Sequence, residues 1–113
     1  EQRVLKISRE GTVLRERGAR GMGLGMFCGC CNPAHIAVHP DGTLITSEKG
    51  IPRVSTYAED GTFQTLVASA EMFGVSVFPG DLAVTEAGHI VVLDTDEQIV
   101  RVFARIPSDA TDE

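Results

Sequence analysis

"PAHIAVHPDGTLITSEKG", residues 33–50, returns as "PGDLAVTEAGHIVVLDTD", residues 79–96. Ile36, Gly42 and Leu44 match Leu82, Gly88 and Ile90, each 46 positions further along the chain. A second motif repeats beside the first. "RVSTYAEDGTFQTLV" (53–67) matches "RVLKISREGTVLRER" (3–17), and its first half comes back as "RVFA" (101–104). Self-similarity at a fixed period marks repeat architectures, and the unit here is about 46–50 residues long.

Each unit holds four short alternating segments, "HIAVH", "TLITSE", "RVSTYA" and "TFQTLVA". Asp41-Gly42 and Asp60-Gly61 separate them as hairpin turns. Alternation in "RVLKIS" and "RVSTYA" suits half-buried antiparallel strands, whereas "IVVLD" reads as a strand covered on both faces. No amphipathic helix is evident, and "ASAEMF" has room for one turn at most.

Four short antiparallel strands per unit describe the blade of a β-propeller, and blades bury their faces only by stacking. The expected fold is all-β: a partial propeller of four-stranded antiparallel blades, with nine strands making two to three blades. A partial blade falls at 1–20, a full blade at 33–69 and an incomplete last blade at 79–104, followed by an acidic tail at 105–113. A nine-stranded β-sandwich is the alternative. In this register the chain is expected to be the C-terminal part of a longer propeller. It opens on Glu1-Gln2 rather than Met, as a processed product would, and a leader removed upstream would place it in the periplasm or outside the cell. The compartment is otherwise open.

The stretches "NPAHIAVHPDGTLITSE", "PRVSTYAEDGTF", "PGDLAVTEAGHIVVLD" and "VRVF" together resemble the NHL-repeat family. The likeness covers nearly the whole chain, including the glycine-rich "GARGMGLGMF" that leads into a new unit. The resemblance implies a six-bladed propeller serving as a protein-binding scaffold; related six-bladed propellers act as metal-dependent lactonases or lyases. Two features depart from the family pattern. His35 stands where Asp is common, and "CGCC" (28–31) precedes the full blade.

Composition excludes some partners. Ten basic against sixteen acidic residues give a net charge of −6 with no basic block, which opposes binding to a phosphate backbone. No run approaches the roughly 20 apolar residues that span a bilayer. The expected partner is protein: the missing blades, a second copy or a larger complex.

Candidate chemistry sits in a few places. Cys28 and Cys30 alternate, so in an extended segment both face one metal ion, with Cys31 turned elsewhere. Thiolates suit zinc, copper(I) or an iron–sulfur cluster, and His35 or His39 would complete the set. The usual paired C-x₂-C spacing of a metal site is missing, so a Cys30–Cys31 or Cys28–Cys31 disulfide and inert packing as small apolar thiols also stay open, while the odd cysteine count argues against a simple disulfide framework. His35 and Asp81 occupy equivalent positions before their strands and would converge at the central channel, as metal or polar-ligand groups or as turn caps. Asn32 would join either arrangement.

Glu48 and Asp94 end their second strands at a shared rim, as hydrolytic carboxylates or as solvated turn residues. Arg3, Arg53 and Arg101 recur at the start of third strands, which argues for structural pairing with such carboxylates. "GMGLG" (21–25) lacks the flanking strand and helix of a dinucleotide site. The apolar "EMFGVSVFPG" (71–80) is expected to pack between blades or to form a partner-binding patch. The leading functional expectation is a non-enzymatic protein-binding or assembly scaffold. The alternative is a metal- or cluster-bearing propeller with redox or hydrolytic activity.

Overall fold

The computed structural model describes residues 3–17, 21, 23–27, 32–49, 52–73, 79–95 and 97–105. The architecture is all-β. Among the described residues, nine strands form three separate antiparallel sheets in simple meander order. The first sheet pairs β1 (Val4–Ile7) with β2 (Val13–Arg17). The second runs β3 (His35–Val38), β4 (Leu44–Glu48), β5 (Arg53–Tyr57) and β6 (Phe63–Ala68). The third runs β7 (Pro79–Val84), β8 (Ile90–Asp94) and β9 (Ile99–Phe103). One helical turn, α1 (Ala70–Phe73), leaves the second sheet.

The sequence repeat is also a register repeat. Ile36↔Thr46 and Val38↔Leu44 in the second sheet become Leu82↔Val92 and Val84↔Ile90 in the third, 46 residues on. Likewise Leu5↔Glu16 and Ile7↔Val13 become Ser55↔Leu66 and Tyr57↔Phe63, and both pairs carry a bulge at the same place. One expected equivalence shifts. Glu48 opposes Arg53, whereas Asp94 opposes Ile99, so Arg101 aligns with Ser55 and lies two residues beyond the position of Arg53. The shared "RV" letters suggested the wrong alignment because a two-residue slip keeps every side chain on its own face.

The hairpin turns are more uniform than the Asp-Gly signal implies. Four turns close in the same way: the amide of Ser8, His39, Ala58 or Thr85 donates to the carbonyl four residues on. Gly11, Gly42, Gly61 and Gly88 occupy positive φ in these turns. This is the three-residue loop with a glycine bulge, not the two-residue turn that Asp-Gly most often marks. Asp41 and Asp60 brace their turns by accepting from the amides of Thr43 and Thr62. Those hydrogen bonds hold both carboxyls below the usual aspartate value.

A Cβ on Gly88, at φ +88, would come within 2.6 Å of His39 Nε2; Gly11, at φ +90, faces open space. Replacing either with Ala incurs the left-handed backbone penalty of about 1–2 kcal/mol. Urea unfolding should show Gly88→Ala losing more than Gly11→Ala, because only the former must also displace an imidazole.

The core lies between the second and third sheets. Ile45, Val54 and Ala68 meet Leu82 and Val92 in one buried cluster, flanked by Ala37, Val67, Val84, Ile90 and Phe103. Strand β7 lies against β3 and β4. On the other face of the second sheet, buried Tyr57 packs between Phe27 and Phe63 at ring separations of 6.0 and 5.7 Å, within the range for favourable tilted aromatic contacts. The middle strands of the second sheet, β4 and β5, are therefore buried on both faces, and every residue of β5 is buried.

Candidate functional site

Glu48 ends β4 and Arg53 begins β5, so the reverse connection sets them directly opposite each other. Arg53 Nε donates to Glu48 Oε2 at 3.0 Å, and both side chains are at least 95% buried (5% and 2% exposed). Nη2 of Arg53 donates to the carbonyls of Gly23 at 2.9 Å and Met26 at 2.6 Å. The guanidinium thus ties the glycine-rich lead-in segment to the second sheet. Burial pushes the Glu48 carboxyl above its ordinary value, with Arg53 opposing that rise.

The third sheet repeats the motif. Arg101 reaches Asp94 Oδ2 from Nε at 3.0 Å and from Nη2 at 2.9 Å, and Asp94 is fully buried. Because Arg101 stands opposite Val92 rather than Asp94, the contact is diagonal. The Glu97 amide donates to the remaining Asp94 oxygen at 3.0 Å. The two carboxylates expected as rim or solvated groups are instead buried and locked to arginines. A buried charge is tolerated only with such partners, and this explains why the arginine recurs.

Asn32 is likewise structural. Its amide nitrogen donates to the Lys49 carbonyl at 2.8 Å, and the Lys49 amide donates to its oxygen at 2.9 Å. The pair closes the β3–β4 hairpin at the end opposite its turn.

His35, at the start of β3, and Asp81, the third residue of β7, do come together: Nδ1 lies 3.6 Å from Oδ1. Asp81 is largely exposed, and its oxygen also accepts from the Leu82 amide. His39 stands apart at the turn end of β3. There the Asp41 amide donates to its Nδ1 at 3.1 Å, and His39 lines a cleft of about 490 Å³ with Thr56, Ile90, Phe103 and Arg105. Cys28, Cys30 and Cys31 lie outside the described residues, as do Val77 and Phe78 of the apolar loop and most of the acidic tail. Among the described residues no three His, Cys, Asp or Glu side chains converge as a metal-ion set. No helix among them is long and apolar enough to cross a membrane.

Sequence reasoning missed the buried hydroxyls. Thr46 and Ser55 face each other across β4 and β5, and Ser47 lies on the opposite face. All three are buried without a hydrogen-bond partner for their side-chain oxygens among the described residues. β-Branching and small volume fit them between packed sheets, which is a packing signal and gives no sign of chemistry. No family model matches the chain, and no curated protein matches it.

Proposed function

We propose that the chain is a propeller-type stack of the NHL kind that works as a protein-binding or assembly scaffold. One observation carries this reading. On the second sheet, the face formed by Ala37, Ile45, Ser47, Val54 and Thr56 is the face that the third sheet covers. The same register positions on the third sheet are Ala83, Val91, Leu93, Val100 and Val102. They are apolar throughout, yet Leu93, Val100 and Val102 are 41, 58 and 60% exposed. A contiguous apolar sheet face of this kind marks an interaction surface.

Sedimentation velocity across a wide concentration range tests the reading. Association that Val102→Lys abolishes supports it. A folded monomer at every concentration, unchanged by that substitution and indifferent to added apolar dye, counts against it.

The adjacency of His35 and Asp81 favours a second reading, in which these two groups join the cysteine-rich segment around a zinc ion or an iron–sulfur cluster. Elemental analysis and a visible spectrum after anaerobic purification decide it: stoichiometric metal supports this reading, and its absence removes it.

A further inference from the structure

Two grooved surfaces flank the second sheet, and only one of them is filled by inner strands. On one side β7 lies over β3 and β4. On the other side Ile36 and Val38 of β3 are 50 and 64% exposed. They line an apolar groove of about 210 Å³ together with Val4, Leu5 and Leu44. The first sheet contains only β1 and β2, so β1 has an edge that pairs with no strand among the described residues.

The register says what that edge resembles. From Leu5 to Ile7, strands β1 and β2 pair as β5 and β6 do 50 residues on, with the bulge before Ile7 and Tyr57 shared; β5 and β6 carry a further shift at Val54. Strand β5 takes β4 on its other edge, and there the acid ending β4 meets the arginine beginning β5. Arg3 is the counterpart of Arg53. It has taken an exposed substitute, Glu16 on the neighbouring strand, at 3.0 Å with side chains 43 and 51% exposed. The two other arginines of the series hold acids that are almost fully buried.

We infer that the β1 edge and the Ile36–Val38 groove form a docking site for an antiparallel β-hairpin of this chain's own repeat type. Its second strand pairs with β1, its apolar face rests on Ile36, Val38 and Leu44, and a carboxylate at the end of that strand displaces Glu16 from Arg3. The site therefore asks for three things at once: strand hydrogen bonds, alternate apolar side chains and one terminal acid. Strand addition gains affinity from the main chain and specificity from alternate side chains. A complete second copy does not meet these demands, because its β9 would occupy the place already held by β1. This inference rests on the stacked-sheet reading above.

The probe is a synthetic peptide of residues 79–96, cyclised through a flexible linker to hold the hairpin, since isolated hairpins are marginal and preorganisation cuts the ordering cost. Binding to the full chain is followed by fluorescence anisotropy and by NMR. The expected result is saturable binding with shifts at Val38 and β1. It should weaken roughly tenfold on Arg3→Gln in the chain or Asp94→Asn in the peptide, as loss of a charge-assisted hydrogen bond requires. Val38→Lys should weaken it at least as much, and this exposed site does not threaten folding.

Failure of the peptide to saturate, while Ile45 still contacts Val92, would overturn the hairpin site and leave the stacking reading standing. Loss of that Ile45–Val92 contact would instead indict the stacking. Binding indifferent to Arg3→Gln and Val38→Lys overturns the inference. So does a chain dimer that Val38→Lys dissociates, since a second copy would then own the groove.

Discussion

Replacing Arg53 with Met should cost about 3–5 kcal/mol of folding stability, the usual result of breaking a buried ion pair from one side. The Glu48 carboxyl, 2% exposed, would lose the guanidinium that compensates its charge from 3.0 Å away. The carbonyls of Gly23 and Met26 would also lose their donor. The double variant Glu48→Gln with Arg53→Met should recover most of the loss, because removing both charges removes the desolvation cost. Arg101→Met should cost less, since that arginine is 26% exposed, so water already weakens its share of the pair, and the Glu97 amide still donates to Asp94.

The pH dependence has a definite sign. Burial raises the Glu48 carboxyl above its ordinary value of 4.5 in the folded chain. The folded state therefore holds this proton where the unfolded chain has released it. The stability it contributes is full below that ordinary value and is lost as pH rises through the raised one. In Arg53→Met the opposing charge is gone, so Glu48 protonates still more readily. The deficit measured by urea unfolding should shrink on acidification from neutral pH toward 4.5. A deficit independent of pH would remove the charge argument and leave only lost packing.

Ile45→Ala should be the second large effect, about 2–5 kcal/mol. Ile45 is fully buried in the cluster that joins the second sheet to the third, so truncation leaves a cavity that two sheets must close together. Ile36→Ala, one residue from the paired position Ala37 on the neighbouring strand, is the informative contrast. Ile36 is half exposed on the open side of the same sheet, and its truncation should cost well under that amount. Equal losses at the two sites would mean that the face bearing Ile36 is covered in solution.

Much of the strand pattern was legible because it rests on local rules. "HIAVH" and "TLITSE" alternate between glycine turns, and their strands are β3 and β4. The 46-residue spacing carried over into identical cross-strand pairs. The turn class was not legible, since Asp-Gly suits two hairpin loops of different length and only the backbone hydrogen bonds separate them.

The site was legible to a lesser degree. A recurring arginine beside strand-end acids pointed to pairing, but the burial of Glu48 and Asp94 depends on what the neighbouring segments cover. Nothing local to "TSEKG" or "VLDTD" carries that information. His35 and Asp81 came together because equivalent positions of stacked units must lie side by side. The alignment of Arg101 with Arg53 failed for the opposite reason: letter matching cannot see which residue a strand places opposite its neighbour.

The central claim is that separate antiparallel sheets stand face to face, each shielding the next. Methyl NOE spectroscopy on the intact chain measures this directly. The account predicts cross-peaks from Ile45 and Val54 to Leu82 and Val92, with β6 and β7 sharing no backbone contacts. Cross-strand backbone NOEs joining β6 to β7 in one continuous sheet, without those methyl contacts, would contradict it.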